Sequence, residues 1–492
     1  MIGSTIRPAP AAGETAKALL LLALMALVTR AWVFGNPVTN IDEEFYLLVG
    51  ERMHEGLLPY VDIWDRKPIG LFLIYAAADA VFRDPVIGHQ LLASLCAVLT
   101  GWLIFACVRR RAGFAASLAG GLAYIAWLPV FAGIGGQSPV FYNLPMMAGA
   151  AMILGLIEAD VPERIFARGC AVMLLAGIAL QIKYSALFDG IYFGLTLLWL
   201  GWRSGWSVPR LAGGALGWIA CALLPTGTAL AAYAAMGHAD AFIQANFLSI
   251  FKDINSPLNA VLRLGGLTFG LSPFLVCLMI VWKRRASLAA GEWWAIFWSA
   301  ASYLGFIAFG VYYDHYILPL LLPLCLIASM AFARTKRWKI DVALVVGLGL
   351  LGGQVRALTD RMLQGSGDQA RALAAKITPH LHGGCLYVNE AVPALYRLTN
   401  SCLPTRFAFP EHLVIYRYEH ALGVNQLGEI DRIFASRPTV VLKSLKPDDD
   451  TRAASRALLE KHLSEAYRKV DEGEIGETRF EVYVLRQAEP TG

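Results

Sequence analysis

The chain has 492 residues, of which 57% are hydrophobic and 16% are charged, and its net charge is +5. Soluble domains carry about 25% charged residues, so this composition excludes an ordinary soluble protein and indicates a membrane protein. The basic residues form short clusters between apolar runs, which is the pattern of cytoplasmic loops. Such clusters are not a nucleic-acid-binding surface, and no nucleic-acid partner is expected.

The first apolar run spans 17–34 and predicts an uncleaved membrane helix. A cleaved secretory signal is the alternative, but Arg30 interrupts the run and no A-x-A cleavage site follows it. If the N-terminus is cytoplasmic, the next segment, 35–67, forms the first external loop.

This external loop contains a helical pattern in the stretch EEFYLLVGERMHE. The apolar face of the pattern consists of Phe45, Leu48, Val49 and Met53. Apolar residues on one face predict an amphipathic helix that lies in the membrane surface. The acidic residues fall largely on other faces, and we expect Glu51 and Glu55 to be solvated.

Charged residues begin and end the loop. Asp42 and Glu43 open the helix, where first-turn N–H groups favour carboxylates. Asp42 is either a plain N-cap or a base that takes a proton from a substrate hydroxyl. Arg66 and Lys67 close the loop, where snorkelling cations are common. A carboxylate and two cations around one helix also suit an anionic lipid headgroup, whose phosphate the cations would hold.

The apolar segment at 68–82 is short and contains Asp79. A crossing here would place the basic cluster 109–111 outside the cell, against the positive-inside rule. We therefore predict a short helix that dips in from the outer face, and a thin, tilted crossing is the alternative.

Ten further apolar runs approach the 17 to 25 residues that cross a bilayer. They lie near 86–108, 113–132, 141–158, 167–186, 187–202, 211–236, 263–282, 292–311, 316–333 and 339–356. Basic clusters put the loops after residues 108, 158, 202, 282 and 333 in the cytoplasm and the tail outside. The sequence thus predicts a multi-pass α-helical membrane protein with about 11 to 13 transmembrane helices.

Several polar residues fall at the predicted outer ends of these helices. Lys183 lies at membrane depth, where an ionisable residue is a functional candidate. His315 and Tyr316 lie in an external loop, where a lone histidine is often only a surface residue. The loop GIGGQSPVFYNLP adds the uncharged Gln137 and Asn143, which are candidates for contact with the acceptor. We predict that Lys183 and His315 converge with Lys67 on the outer face.

The chain changes character after residue 356. Segments 1–356 and 357–492 are predicted to be a transmembrane catalytic domain and a small extracytoplasmic α/β domain. The runs CLYV, PTVVLKS and FEVYVLR predict strands, and DDDTRAASRALLEKHLSEAYRK predicts a helix with an acidic cap. Cys385 and Cys402 could form a disulfide if this tail is extracytoplasmic.

Three stretches together resemble a known family: IDEEFYLLVGERMHEGLLPYVDIWDRKP, LLAGIALQIKYSAL and YYDHYILPLLLPL. They are similar to the polyprenyl-phosphate-sugar glycosyltransferases of the GT-C fold. The nearest group is the bacterial relatives of protein O-mannosyltransferases and of the lipid A aminoarabinose transferase. The resemblance covers about 17–335.

The resemblance implies roles for particular residues. Such enzymes move a sugar from undecaprenyl or dolichyl phosphate to a hydroxyl on the outer face of the membrane. By position, Asp42 is the implied catalytic carboxylate with Glu43 beside it, and Lys67 is the implied contact of the carrier phosphate. Lys183 and Tyr316 match a lysine and a tyrosine near the carrier.

Two departures limit what the resemblance implies. Several relatives carry a second acid in the loop around Gln137 and Asn143, and this sequence has none there. A divalent metal therefore stays an open question, and the lipid-linked sugar is the one co-substrate expected. Phe45 stands where the aminoarabinose transferase has an arginine, so aminoarabinose is not predicted as the sugar.

The predicted function is therefore an inner-membrane glycosyltransferase that inverts the anomeric configuration. The acceptor is an unidentified envelope glycan, lipid or protein. A transporter or flippase of lipid-linked sugars is the main alternative, although no internal repeat supports it. A non-catalytic assembly partner is a second alternative, in which Asp42 would be dispensable.

Overall fold

The computed structural model describes residues 10–159, 164–249, 257–308, 310, 312–446 and 451–486. Up to residue 282 its α-helices are α1 (Ala12–Arg30), α2 (Ile41–His54), α3 (Ile69–Val81), α4 (Pro85–Arg109), α5 (Phe114–Trp127), α6 (Ser138–Glu158), α7 (Ile165–Leu180), α8 (Ala186–Arg203), α9 (Val208–Ala235), α10 (Ala239–Ile243), α11 (Pro257–Gly270) and α12 (Ser272–Trp282). The later elements are α13 (Ala290–Ala308), α14 (Leu321–Phe332), α15 (Trp338–Gln364), α16 (Gly367–Ile377), β1 (Leu386–Asn389), α17 (Ala394–Leu398), α18 (Gln426–Ala435), β2 (Val440–Ser444), α19 (Ala453–Ala466), β3 (Tyr467–Ile475) and β4 (Thr478–Leu485).

Each apolar run expected to cross the membrane contains a helix. Within the described residues, seven helices are long and apolar enough to span a bilayer, and α11 with α12, which meet at a bend of 58°, make up to eight. α7, α8 and α13 do not reach the same length and hydropathy. The chain therefore has the fold of a multi-pass membrane protein, and the number of 11 to 13 crossings stays a prediction.

The short apolar segment near residue 70 is the helix α3. Its 13 residues extend for about 20 Å at 1.5 Å per residue, whereas the bilayer core is about 30 Å thick. This length agrees with a helix that enters the membrane without crossing it, and its placement in the bilayer stays a prediction.

The chain divides into two compact units. The first contains Met1–Trp32, Gln90–Ala229 and Ser256–Ala357, and the second contains Val33–His89, Leu230–Asn255 and Leu358–Gly492. The loop 35–67 that follows α1, predicted to be external, thus belongs to the same unit as the tail. The predicted domain 1–356 included Val33–His89 and Leu230–Asn255, which belong to the unit of the tail, so its role as a single transmembrane domain stays a prediction.

Charged residues at helix ends in the first unit are held in ion pairs. Arg109 at the end of α4 contacts Glu14 of α1 at 2.7 Å, and Arg111 contacts Glu158 at the end of α6 at 2.8 Å. Pairing lowers the cost of keeping charges near the apolar layer. These contacts fix the ends of α1, α4 and α6 relative to one another.

The tail in the second unit folds around a four-stranded sheet with the order β1-β2-β4-β3. β1 and β2 are parallel, and β4 is antiparallel to both β2 and β3. The three predicted strands are therefore confirmed as β1, β2 and β4. The glycine at the turn into β4, Gly476, has a positive φ, and an added Cβ there would lie 2.0 Å from the Leu363 carbonyl oxygen.

The predicted end of the tail helix is wrong. The helix was expected to run to Lys469, but α19 ends at Ala466 and the following residues open β3. β3 lies at the edge of the sheet, and most of its residues are charged or partly exposed. It therefore lacks the alternation of apolar and polar residues by which a strand is predicted from sequence. The predicted acidic cap, at 448–450, lies outside the described residues.

The tail core includes a residue from the external loop, and the tail carries a disulfide. Trp64 is 2% exposed and packs in the same apolar cluster as Phe407 and Leu413. Cys385 and Cys402 are disulfide-bonded, with Cα atoms 4.8 Å apart. The predicted disulfide is confirmed, and it is of the kind found in oxidising compartments.

The prediction that the helix in the loop 35–67 is an amphipathic surface helix is wrong. α2 is buried continuously from Glu43 to Gly50, so this stretch has no polar face exposed to solvent. Gly50 lies where α2 crosses α3, and an added Cβ would approach the Ala76 backbone nitrogen to 2.6 Å. The spacing of apolar residues did reveal the helix, but polar residues on its other faces contact protein instead of solvent.

Candidate functional site

The N-terminus of α2 is capped by Asn40, two residues before Asp42. The Asn40 side-chain oxygen accepts a hydrogen bond from the Asp42 backbone N–H at 2.9 Å. Asp42 is the second residue of the helix, so its interpretation as the N-cap is wrong. The carboxylate remains in the first turn, where the helix dipole stabilises negative charge.

Asp42 and Lys67 form an ion pair at the start of this helix. The Lys67 Nζ lies 3.6 Å from Asp42 Oδ1, and the two side chains are 22% and 21% exposed. The ammonium also lies 5.2 Å from the ring centroid of Tyr46, which is within the range of a cation–π contact. Burial raises the pKa of Tyr46 well above its usual value, with a further contribution from Asp42, so Tyr46 stays neutral.

The turn that carries Lys67 is fixed by its own hydrogen bonds. The Lys67 backbone N–H donates to Asp65 Oδ1 at 2.7 Å, and Tyr60 donates its hydroxyl to the Lys67 carbonyl at 2.8 Å. Asp62 accepts from the Leu58 N–H at 2.8 Å in the same turn. Asp62 and Asp65 therefore shape the loop, and both backbone groups of Lys67 are held.

The neighbouring cation, Arg66, rests on an aromatic residue of the tail. Its guanidinium carbon lies 5.1 Å from the ring centroid of Tyr418. The backbone N–H of Trp64, two residues before Arg66, donates to the Arg406 carbonyl at 2.8 Å. His412 packs between Trp64 and Tyr418, with ring centroids 4.8 and 5.1 Å away. The tail thus supports the segment that carries both cations.

Glu43 is turned away from this pair. Its carboxylate is 3.6 Å from His89 Nε2, and both side chains are nearly buried. This arrangement supports a structural role for Glu43 in the packing of α2. Its predicted catalytic role stays a prediction. Glu44, the next residue, accepts from the Ala394 N–H at 3.2 Å, and burial raises the pKa of its carboxyl well above the usual value.

The expectation of solvated acids holds for Glu55 only in part and fails for Glu51. Glu51 binds Arg397 of the tail at 2.7 Å, and its side chain is 31% exposed. Glu55 binds Arg52 at 2.6 Å and is 47% exposed. Two of the seven carboxylates of the stretch 40–70, those of Glu44 and Glu51, therefore bind the tail.

In the first unit, Lys183 and Tyr316 form a second cation–aromatic pair. Lys183 follows the end of α7 and is 8% exposed, with Nζ 3.7 Å from the Tyr316 ring centroid. A buried ammonium against a ring face is stabilised by the ring quadrupole. Beside this pair, the hydroxyls of Tyr142 and Ser185 are 3.0 Å apart.

His315 belongs to an aromatic group beside Tyr316. It stacks on Tyr313 with ring centroids 6.1 Å apart and meets Tyr316 edge-on at 4.9 Å. The guanidinium of Arg263, a residue that no sequence pattern indicated, lies 5.5 Å from the centroid of the Tyr313 ring. Asp314 is not grouped with them, because it pairs with Arg356 at 2.7 Å.

Gln137 ends a buried loop as the N-cap of α6, and Asn143 lies inside α6 instead of in the predicted loop. Both side chains are fully buried. Asn143 donates to the Tyr124 hydroxyl at 3.1 Å and to the Leu318 carbonyl at 3.3 Å. Arg30 of α1, also buried, fixes the loop by donating to three successive carbonyls at 2.7 to 3.0 Å, those of Gly133, Ile134 and Gly135. A contact of Gln137 or Asn143 with an acceptor stays a prediction.

The predicted site residues thus form two groups. Asp42, Arg66 and Lys67 lie together in the second unit, whereas Lys183, His315 and Tyr316 lie together in the first. Within the described residues, no three His, Cys, Asp or Glu side chains form a group suited to a metal ion. The predicted convergence of Lys67 with Lys183 and His315 stays a prediction.

The sequence did not single out the tail residues that support the cations. His412 and Tyr418 are far from Arg66 along the chain, so no local pattern links them. The one available signal was a histidine among aromatic residues in TRFAFPEHL.

No family model and no curated protein sequence matches the chain. Solved structures do match the chain, and two of them, both of ArnT from Cupriavidus metallidurans, cover almost all of it. The apo structure has a TM-score of 0.64 at 14% identity, covering 96% of this chain and 98% of that chain. The structure bound to undecaprenyl phosphate has the same TM-score and coverage at 13% identity. The chain therefore has the fold of ArnT, and the predicted GT-C-like fold is confirmed.

Proposed function

We propose that the chain is a membrane glycosyltransferase that moves a sugar from a polyprenyl-phosphate carrier to an acceptor hydroxyl. The observation that carries the proposal is the partly exposed pair of Asp42 and Lys67 at the start of α2. One group can accept a proton and the other can bind a phosphate. The ArnT structure that holds undecaprenyl phosphate supports a lipid-linked donor.

In the proposed reaction, Asp42 accepts the proton of the acceptor O–H group. The acceptor oxygen then forms a bond to the anomeric carbon, and the bond from that carbon to the carrier phosphate breaks. The phosphate leaves with the bonding electron pair, and Lys67 and Arg66 stabilise its growing negative charge. A single displacement inverts the anomeric configuration.

The aromatic partners suit this division of roles. Tyr46 beneath Lys67 and Tyr418 beneath Arg66 stabilise cations without neutralising them, because an aromatic ring carries no formal charge. Each cation therefore keeps a positive charge to offer to a phosphate. In the first unit, Lys183 on Tyr316 has the same arrangement, and we assign it to the carrier as well.

The sugar is not proposed to be aminoarabinose. The aminoarabinose transferase carries an arginine shortly after its acidic pair, and Phe45 stands at that position here. Phe45 is fully buried and meets Phe409 of the tail at 5.3 Å between ring centroids. An apolar residue packed in this way offers no charge to a substrate.

We further propose that the tail and the Asp42–Lys67 pair face the extracytoplasmic side of the inner membrane. The disulfide supports this placement. After mild reduction of intact spheroplasts, a membrane-impermeant maleimide should label Cys385 and Cys402. A Ser287→Cys variant of a protein without other cysteines, in a predicted cytoplasmic loop, should be labelled only after lysis. Labelling of Cys385 only after lysis would contradict this orientation and the proposed reaction with it.

The experiment that tests the function is lipid analysis of a strain that lacks the gene. The strain should accumulate a polyprenyl-phosphate sugar in the outer leaflet, where impermeant periodate oxidises it, and its envelope glycan should lack one sugar. A flippase would instead leave the lipid-linked sugar in the inner leaflet, protected from periodate. Unchanged lipid-linked sugars would contradict both functions.

A further inference from the structure

We propose that His412, a tail residue, is a positioning residue for the cation pair Arg66–Lys67 and acts as a neutral aromatic support. The inference rests on the proposed function, because the cations are assigned to the donor phosphate. It makes the tail part of the donor site, although none of the catalytic or donor-binding residues predicted from the sequence lies in the tail.

The first basis is the burial and packing of the imidazole. His412 is 2% exposed and lies among four aromatic rings. Their centroids lie 4.8 to 6.3 Å from the imidazole, and the rings are those of Trp64, Phe409, Tyr418 and Phe45. Rings at such distances and mostly edge-on angles make favourable contacts. The imidazole therefore fills the space between the external loop, α2 and the tail.

The second basis is that two of these rings connect directly to the cations. Tyr418 carries Arg66 on its face at 5.1 Å. Trp64 is two residues before Arg66, and its backbone is tied to the tail by the hydrogen bond to Arg406. A change in volume at His412 would move both rings, and with them the guanidinium of Arg66 and the turn that holds Lys67.

The third basis is the charge around the imidazole. Arg66 and Lys67 face it as cations, Asp42 faces it as an anion, and Tyr418 is its nearest titratable ring. Burial, followed by Arg66 and Lys67, lowers the pKa of His412 well below its usual 6.5, and Asp42 opposes the shift. In the described part of the chain its Nδ1 has no hydrogen-bond partner. A proton on this ring would put a third positive charge beside the two cations, so the ring stays neutral.

The neutral ring has a consequence for chemistry. An imidazole that does not take up a proton near neutral pH is a poor general base. We therefore expect the shape of the ring to matter and its nitrogens not to matter. A phenyl ring should replace it, whereas removal of the ring should disturb donor binding.

The test compares His412→Ala and His412→Phe in the detergent-purified full chain, with a polyprenyl-phosphate sugar as donor. His412→Ala should raise the donor KM about tenfold and lower kcat by a smaller factor, because the displaced cations bind the phosphate less well and stabilise its growing charge less. His412→Phe should stay within about threefold of the wild type in both constants. Tyr418→Leu, which removes the ring beneath Arg66, should resemble His412→Ala.

His462→Ala is the matched control. His462 is also a tail histidine stacked on an aromatic ring, that of Phe434 at 4.4 Å, but none of its contacts involves Arg66 or Lys67 among the interactions described. Its loss should leave the donor KM unchanged. If His412→Ala folds and binds donor normally, or if His412→Phe folds and loses transfer, the inference is wrong.

A second readout does not depend on activity. The unfolded imidazole takes up a proton below pH 6.5 and the folded one does not, so wild-type stability should fall as the pH decreases from 7.5 to 5.5. His412→Phe lacks this contribution and should lose less thermal stability over the same range. Equal losses of thermal stability in the wild type and in His412→Phe would overturn the inference that the buried His412 ring stays neutral. Absence of transfer by the wild type would instead count against the proposed function alone, since the melting comparison still stands.

Discussion

Replacement of Asp42 by asparagine should lower the rate of sugar transfer about 100-fold or more, because the acceptor hydroxyl loses its base. Donor binding should be retained or become tighter. In the wild type the Asp42 carboxylate lies 3.6 Å from the Lys67 ammonium and partly offsets its charge. Asparagine removes that offset, so Lys67 attracts a phosphate more strongly. The measurement is transfer of labelled sugar in membranes, with donor binding assayed separately.

Asp62→Asn is a control with the same chemical change in the same loop. Asp62 accepts a hydrogen bond from the Leu58 N–H, and asparagine retains a side-chain oxygen for that bond. Asn40→Ala controls for the helix cap. Loss of the Asn40 side chain should lower the free energy of unfolding by about 1 kcal/mol and should not lower turnover about 100-fold. Near-normal transfer by Asp42→Asn would remove the base from the mechanism.

Replacement of Lys67 by alanine should act on the donor first. One charge-assisted hydrogen bond contributes about 1.5–3 kcal/mol, so donor affinity should fall roughly 10- to 100-fold. The rate of the chemical step should fall as well, because the leaving phosphate loses a positive partner. Asp42→Asn lowers turnover while sparing donor binding, so the two variants separate the base from the phosphate contact.

Lys376→Ala is the matched control for the loss of a lysine. Lys376 lies in the same unit and pairs with Asp471 at 2.9 Å, where both side chains are more than a third exposed. Its removal should leave donor affinity unchanged. If Lys67→Ala binds undecaprenyl phosphate as tightly as Lys376→Ala, the phosphate contact assigned to Lys67 is wrong.

The membrane helices could be predicted because their signal is local. A run of apolar residues is helical wherever it enters a bilayer, since the backbone must satisfy its own hydrogen bonds there. α4, α6 and α9 follow directly from such runs. The signal fails to give the number of crossings where helices are short or interrupted, as at α7 and at the bend between α11 and α12.

α2 and β3 show where a local pattern misleads. α2 has apolar residues at helical spacing, so the helix is predictable, but its acids Glu44 and Glu51 bind tail residues more than 340 positions away. Nothing in the surrounding sequence distinguishes a solvated acid from one with a distant partner. β3 is an edge strand with charged residues, which removes the alternation that identifies strands.

The site was predictable to a similar extent. Asp42 and Lys67 were selected from one loop, and the structure places them in contact. Lys183 and Tyr316 were selected from separate stretches, and they also meet. The N-cap Asn40 sits two residues from Asp42 and was still missed, because both residue types cap helices well. His412 was missed because its role depends on long-range packing.

Transfer by the purified chain is the most direct measurement of the proposed activity. The full chain in detergent is incubated with an undecaprenyl-phosphate sugar carrying a labelled sugar and with an envelope fraction from a strain that lacks the gene. We expect labelled sugar to appear in the fraction and free undecaprenyl phosphate to be released in equal amount, and Asp42→Asn to produce neither. Release of undecaprenyl phosphate without labelled acceptor, or equal transfer by the wild type and Asp42→Asn, would contradict a glycosyl transfer that depends on the Asp42–Lys67 pair.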